Sequence, residues 1–197
     1  MSSSLGSIFR IHTFGESHGP AVGVVIDGCP PRLPITREEI QSDLDRRRPG
    51  QSSLVTQRDE KDTVEILSGW KDGLTLGTPL ALLVRNQDHI SGAYDHLKDV
   101  YRPSHADFTT DQKYGIRAHE GGGRSSARET IGRVAAGAVA RKLLSISAGV
   151  QVLAWVHQIH KISGSYEINN VTLDDVESSP TRCPCLLYTS PSPRDSR

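Results

Sequence analysis

Four short segments gather the residue types that bind anions or move protons. In Gly15-Glu16-Ser17-His18-Gly19, the flanking glycines allow a tight turn and the close approach of a ligand. The turn presents Ser17 and His18, and an imidazole there titrates near neutral pH and could act as a general acid. A turn histidine without a task is the competing reading. Asp45-Arg46-Arg47-Arg48-Pro49-Gly50 clusters guanidinium groups that can each fork onto a phosphate or carboxylate; a solvated helix end would have the same composition. Arg102-Pro103-Ser104-His105-Ala106-Asp107 is a restrained loop in which Asp107 could orient His105, or else an ordinary surface loop. Gly121-Gly122-Gly123-Arg124-Ser125-Ser126 runs into a helix start, where free amides and the helix dipole favour an anion. Arg124 adds charge and Ser125 and Ser126 add hydroxyls. The spacing is not that of a Walker A loop, and a flexible hairpin loop is the alternative.

Together these segments point to an anion-rich substrate, a phosphate or carboxylate or both, met by arginines and one or two acid/base histidines. The residues alone do not name a reaction. His12, His89, His96, His119, His157 and His160 lack such surroundings and read as structural or surface groups. His157 and His160 would suit a metal only on a helix, whereas Val152, Ala154 and Val156 suggest a strand. Cys183-Pro184-Cys185 has no further ligands in view, so no metal is expected.

The elements that must carry these segments follow from pattern. Strand-like runs occur over 7–14, 21–27, 63–67, 80–85 and 151–159. A first helix starts at the capping box Thr36-Arg37-Glu38-Glu39, buries Ile40 and Leu44, ends in basic residues that suit the helix dipole, and stops at Pro49-Gly50. A second starts at another box, Ser126-Ala127-Arg128-Glu129, and continues through Ile131, Val134, Ala135, Ala138, Val139, Leu143 and Leu144 at helical spacing. Its small residues Ala135, Gly137 and Ala138 predict close packing against another backbone. Strands and helices do not alternate regularly, so an α+β fold with antiparallel sheet is favoured over a doubly wound one. Residues 185–197, rich in Ser, Pro and Arg, read as a disordered, non-native tail, and 1–184 as part of one domain.

Composition removes several function classes. Lys+Arg total 23 and Asp+Glu total 23, and aromatics are only 5%. That balance is poor footing for nucleic-acid binding, which rests on basic surface and stacking platforms. No apolar run approaches the ~20 residues of a membrane span, and no signal peptide is visible. Three cysteines make no disulfide framework, so a reducing cytoplasm is the expected location.

The segments, in this order and spacing, resemble the chorismate synthase family. The first continues into Val22-Gly23-Val24-Val25-Ile26-Asp27-Gly28-Cys29-Pro30. The arginine motif continues into Gln51-Ser52, and the glycine motif into Ala127-Arg128-Glu129-Thr130. The likeness runs from about Ser7 to Cys183, with wording nearer to eukaryotic than to enteric bacterial members.

The resemblance implies a β-α-β sandwich, here incomplete. It implies a lyase that eliminates phosphate 1,4-anti from 5-enolpyruvylshikimate-3-phosphate to give chorismate, with reduced FMN and no net redox change. NADPH is implied as the flavin reductant and a homotetramer as the full-length assembly. Position by position, His18 would protonate the departing phosphate, His105 would serve the reduced flavin, and Ser17 would join a relay at the flavin. Arg47 and Arg48 would hold the substrate, with Arg128 and Arg10 helping, and Arg124, Ser125 and Ser126 would line the flavin site. The chain departs from the pattern at Ser53, where some bacterial members have an arginine, and in length, since the family needs about twice as many residues. This chain alone is therefore expected to be inactive; the alternative is a phospholigand-binding protein without turnover.

Overall fold

A computed structural model describes residues 3–48, 61–87 and 91–185. The expectations for Pro49, Gly50, Ser53, His89 and the tail from 186 onward lie outside these residues. The described chain falls into two compact units, one ending at Val150 and the other beginning at Gln151.

The first unit is built on an antiparallel sheet of β1 (Ser4–Leu5), β2 (Arg10–Gly15), β3 (Ala21–Asp27), β4 (Val64–Ser68) and a strand at Leu80–Arg85. Between β4 and that last strand lies a small hairpin, β5 (Trp70–Lys71) and β6 (Leu74–Thr75), so the last strand is β7. The sheet order is β1-β2-β3-β7-β4. Alternation explains the pairing. Val22, Val24 and Ile26 of β3 and Leu80, Leu82 and Val84 of β7 are all at most 1% exposed, which places them on one face of the sheet. Burying each such side chain contributes about 1.5–3 kcal/mol. The hairpin turns at Asp72-Gly73, with φ of 51° and 85°, the left-handed pair that a tight two-residue turn requires.

That face is covered by helices α1 (Arg37–Arg47) and α3 (Thr130–Ala148), which also pack on each other; a short α2 (Asp107–Tyr114) lies between them in sequence. The core joins Ile40 and Leu44 of α1 to Ile131, Ala135 and Val139 of α3 over the strands. One sheet layer under one helix layer makes an α+β unit, as expected. The capping box on α1 forms: Thr36 Oγ1 accepts from the Glu39 amide at 3.2 Å, and Glu39 accepts from the Thr36 amide at 2.8 Å.

Three expectations change. The box at 126–129 does not close: Ser126 caps a 3₁₀ turn by accepting from the Arg128 amide at 3.3 Å, but Glu129 points elsewhere and α3 begins only at Thr130. Gly137 is exposed, with nothing within 4 Å of a Cβ built on it. The close contact is made one face round, at Gly132, whose added Cβ would lie 2.7 Å from the Gly23 carbonyl of β3. Residues 151–157 are not a strand.

Among the described residues of the second unit, β8 (Gln158–Ile159) pairs with β9 (Ile162–Ser163), followed by α4 (Leu173–Glu177). Here Tyr166 Oη accepts from the Trp155 indole at 2.5 Å and meets His157 Nδ1 at 2.6 Å.

Candidate active site

The antiparallel turn between β2 and β3 carries residues 16–20 at one end of the sheet. Ser17 is 2% exposed. Its Oγ accepts from the Gly122 amide at 3.3 Å and lies 3.1 Å from His18 Nδ1. The Ser17 amide in turn donates to the Gly123 carbonyl at 3.4 Å. The His18 ring stands edge-on to Tyr94, centroids 4.8 Å apart. The glycine run is thus packed against the catalytic-type turn. Gly121 has φ of 61°, and a Cβ on it would collide with the His18 ring and lie 2.8 Å from Ser17 Oγ. Only glycine satisfies both conditions.

His105 is oriented as its sequence neighbours suggest. Asp107, 5% exposed, accepts a two-pronged bond from Arg102, Nε to Oδ2 and Nη2 to Oδ1, each 2.7 Å, and a third bond from the Arg102 amide at 3.1 Å. The Arg102 bond, working against burial, holds the Asp107 carboxyl far below the usual carboxylate range. His105 Nδ1 lies 2.9 Å from Asp107 Oδ1. The Arg102 guanidinium also lies 3.3 Å from His105 Nδ1, so the ring is held between the two members of the clasp. Ser104, just before the ring, adopts φ of 61°, a conformation the Arg102–Asp107 clasp maintains.

A cavity of about 280 Å³ is lined by Glu16, His105, Gly122, Gly123, Arg124 and Ser125, with Arg117 and Glu129 beside them. Arg117, its side chain 6% exposed, donates Nη2 to the carbonyls of Leu97 (2.8 Å), Lys98 (2.7 Å) and Val100 (3.1 Å). Its Nη1 is buried without a hydrogen-bond partner among the described residues, with Asp111 at 3.7 Å. A buried donor of this kind, with the Ser125 hydroxyl and the His105 ring lining the same cavity, fits an anionic, hydrogen-bonding ligand.

Arg124 is turned toward β2. It donates to the Gly15 carbonyl at 3.0 Å, the Thr13 carbonyl at 3.2 Å and Thr13 Oγ1 at 2.8 Å. Glu129 accepts from Thr13 Oγ1 at 2.6 Å and from Arg133 at 3.0 Å. Burial raises its carboxyl, but the Thr13 hydroxyl and Arg133 outweigh burial and hold it below the usual range. These bonds explain why Glu129 does not reach back to close the box.

Of the substrate arginines, Arg47 and Arg128 meet at one carboxylate. Asp62, its side chain fully buried, accepts from Arg47 Nη1 at Oδ2 and from Arg128 Nη1 at Oδ1, both at 2.9 Å. Arg47 also donates to Thr130 Oγ1 at 3.2 Å, and Arg128 Nε to Asn86 Oδ1 at 2.5 Å. Neither arginine lines the cavity beside His105. Arg48 lines a separate groove with Arg37, Gln41, Asp45 and Lys61. Arg10 is not brought to the site. It opens β2 and donates to the Ser7 carbonyl at 3.1 Å, five residues from Gly15 and therefore about 17 Å away along an extended strand. Sequence reasoning missed Asp62, Asn86 and the clasping role of Arg102. Only Arg102 lay within a flagged segment.

Among the described residues no group of three His, Cys, Asp or Glu is placed to hold a metal, and no helix is long and apolar enough to cross a membrane. Fold and site define an α+β protein with two ordered histidines and arginines paired to buried carboxylates. Residues 9–187 match the chorismate synthase family model, and the chain belongs to that family. It is 62% identical over 184 residues to the chorismate synthase of Synechococcus elongatus, covering 93% of this chain and 51% of that protein. Against the enzyme of Akkermansia muciniphila it is 61% identical over 183 residues, covering 92% and 51%. A crystal structure of chorismate synthase superposes with a TM-score of 0.64 at 33% identity, over 91% of this chain and 50% of that one. The chain spans about half the length of the curated relatives it matches.

Proposed function

We propose that this chain supplies one half of a chorismate synthase active site, acting in the 1,4-anti elimination of phosphate from 5-enolpyruvylshikimate-3-phosphate. The observation that carries the reading is the Ser17–His18 turn hydrogen-bonded to the glycine run, whose Gly122, Gly123 and Arg124 line the cavity that His105 also lines. As an imidazolium, His18 donates from Nδ1 to Ser17 Oγ and gives its Nε2 proton to the departing phosphate, leaving a neutral ring. Arg47 and Arg128, paired on Asp62 and linked through Asn86 to the His18 turn, offset the charge growing on that phosphate, which is where such groups lower a barrier most. His105, its Nδ1 held by Asp107, presents Nε2 to a proton at the other ligand. Reduced FMN, when bound along Arg124, Ser125 and Ser126 with Arg117 nearby, supplies an electron-rich surface for the electron-poor transition state. NADPH as flavin reductant and a tetrameric assembly go with this reading.

The test joins residues 1–184 to the C-terminal half of the Synechococcus elongatus relative. Phosphate release is then followed anaerobically with reduced FMN. Turnover that falls at least 100-fold in His18→Ala supports the reading. A folded chimera that binds substrate and releases no phosphate overturns it in favour of ligand binding without catalysis.

A further inference from the structure

We propose that Asn86 is a positioning residue that fixes the acid/base turn to the arginine cluster. Asn86 follows β7 and is 8% exposed. Its amide group faces two ways at once. Oδ1 accepts from Arg128 Nε at 2.5 Å, while Nδ2 donates to the Glu16 carbonyl at 3.0 Å and the Gly19 carbonyl at 2.6 Å. Its backbone amide donates to the Pro20 carbonyl at 3.1 Å. Carbonyls on both sides of Ser17 and His18 are therefore held by one planar group. That group cannot rotate freely, because Arg128 can only donate and the two carbonyls can only accept. Arg128 is itself set by Asp62, which also holds Arg47. The chain Asp62–Arg128–Asn86–turn transmits the placement of the anion-binding side chains to the turn that bears the imidazole. The inference rests on the proposed roles of His18 and the arginines, but the linkage itself is geometric.

Asn86→Asp is nearly isosteric and separates the two directions. A carboxylate still accepts from Arg128 but cannot donate to Glu16 and Gly19, and it faces both carbonyls with negative charge. Asn86→Ala removes the same donors without adding charge. Amide hydrogen exchange and a ring NMR titration of His18, measured on the 197-residue chain, read the consequence. In both variants the Gly19 and Ser17 amides are expected to exchange at least tenfold faster, while Val24 and Val139 in the core stay within twofold of the parent, and the His18 titration midpoint moves. A merely structural role would speed all four amides together and leave the His18 midpoint in place. Unchanged exchange at Gly19 in either folded variant, or a uniform loss of protection, overturns the proposal. In the chimera, Asn86→Asp is expected to lower kcat about 100-fold with KM within threefold, in line with what a small misplacement of a reacting group costs. A parent chimera without turnover would count against the proposed function. An intact tether by exchange would survive that result.

Discussion

Gly121→Ala is the sharpest test of how the glycine run meets His18. The substitution places a methyl group where φ is 61° and where the His18 ring and Ser17 Oγ already lie. A left-handed conformation costs a non-glycine residue about 1–2 kcal/mol. The methyl then forces the ring aside, forfeiting the Ser17–His18 hydrogen bond, about 1 kcal/mol, and the edge-on contact with Tyr94, roughly 0.5–1 kcal/mol. The expected loss is about 2–4 kcal/mol, or roughly 5–15 °C in melting temperature for a chain of this size. Gly149→Ala is the matched control. Its φ is 63°, it caps the end of α3, and nothing lies within 4 Å of the added Cβ, so only the backbone cost of about 1–2 kcal/mol applies. Thermal and urea denaturation of the two variants, with a ring NMR spectrum of His18, measure the difference. Equal losses with an unmoved His18 signal would refute the packing of the glycine run on the imidazole.

Other expectations follow from the buried charges and the helix–sheet contact. Asp62→Asn leaves Arg47 and Arg128 without their shared buried anion and should cost about 3–5 kcal/mol by urea denaturation; a loss below 1 kcal/mol would show the cluster to be solvated. Asp107 is depressed in the folded state, so the native protein binds fewer protons there than the unfolded chain. Its stabilisation is full above the unfolded carboxylate range, ~4, and is lost as pH falls. Asp107→Asn should therefore lower stability at pH 7 and flatten the decline measured between pH 5 and pH 3, and an unchanged acid limb would disprove the clasp. Gly132→Ala should destabilise by about 1–3 kcal/mol through its clash with β3, whereas Gly137→Ala, in open space on the same helix, should stabilise by up to about 1 kcal/mol. Calorimetry of the pair decides, and the same sign in both would contradict the assigned face of α3.

Where local pattern and tertiary demand agree, the sequence was readable. The Thr36 box falls where capping chemistry puts it because it is satisfied within three residues, and β3 and β7 fall on their apolar runs because each finds the other as a ladder. The segments around Ser17, His105 and Gly121 were likewise visible as clusters. What escaped reading depends on distant partners. Arg128 meets Asn86 across 42 positions and Asp62 across 66, and no local spacing announces such pairs. Glu129 had the right offset for a box, but Thr13, 116 residues away, offered a buried hydroxyl instead. Residues 151–157 alternate like a strand yet do not form one, and Val152 is 62% exposed. Alternation creates a strand only where a neighbouring ladder accepts it.

Arg124 illustrates how a side chain can take over the work of backbone. β1 covers only Ile11 and His12 of β2, so the strand's outer margin would otherwise present bare carbonyls at Thr13 and Gly15. The guanidinium fills that margin, supplying donors where another strand's amides would sit. Beyond the end of β1 these two carbonyls are thereby satisfied without a further ribbon of chain. Removing Arg124 would leave these two carbonyls bare, a border of the kind to which another strand can add.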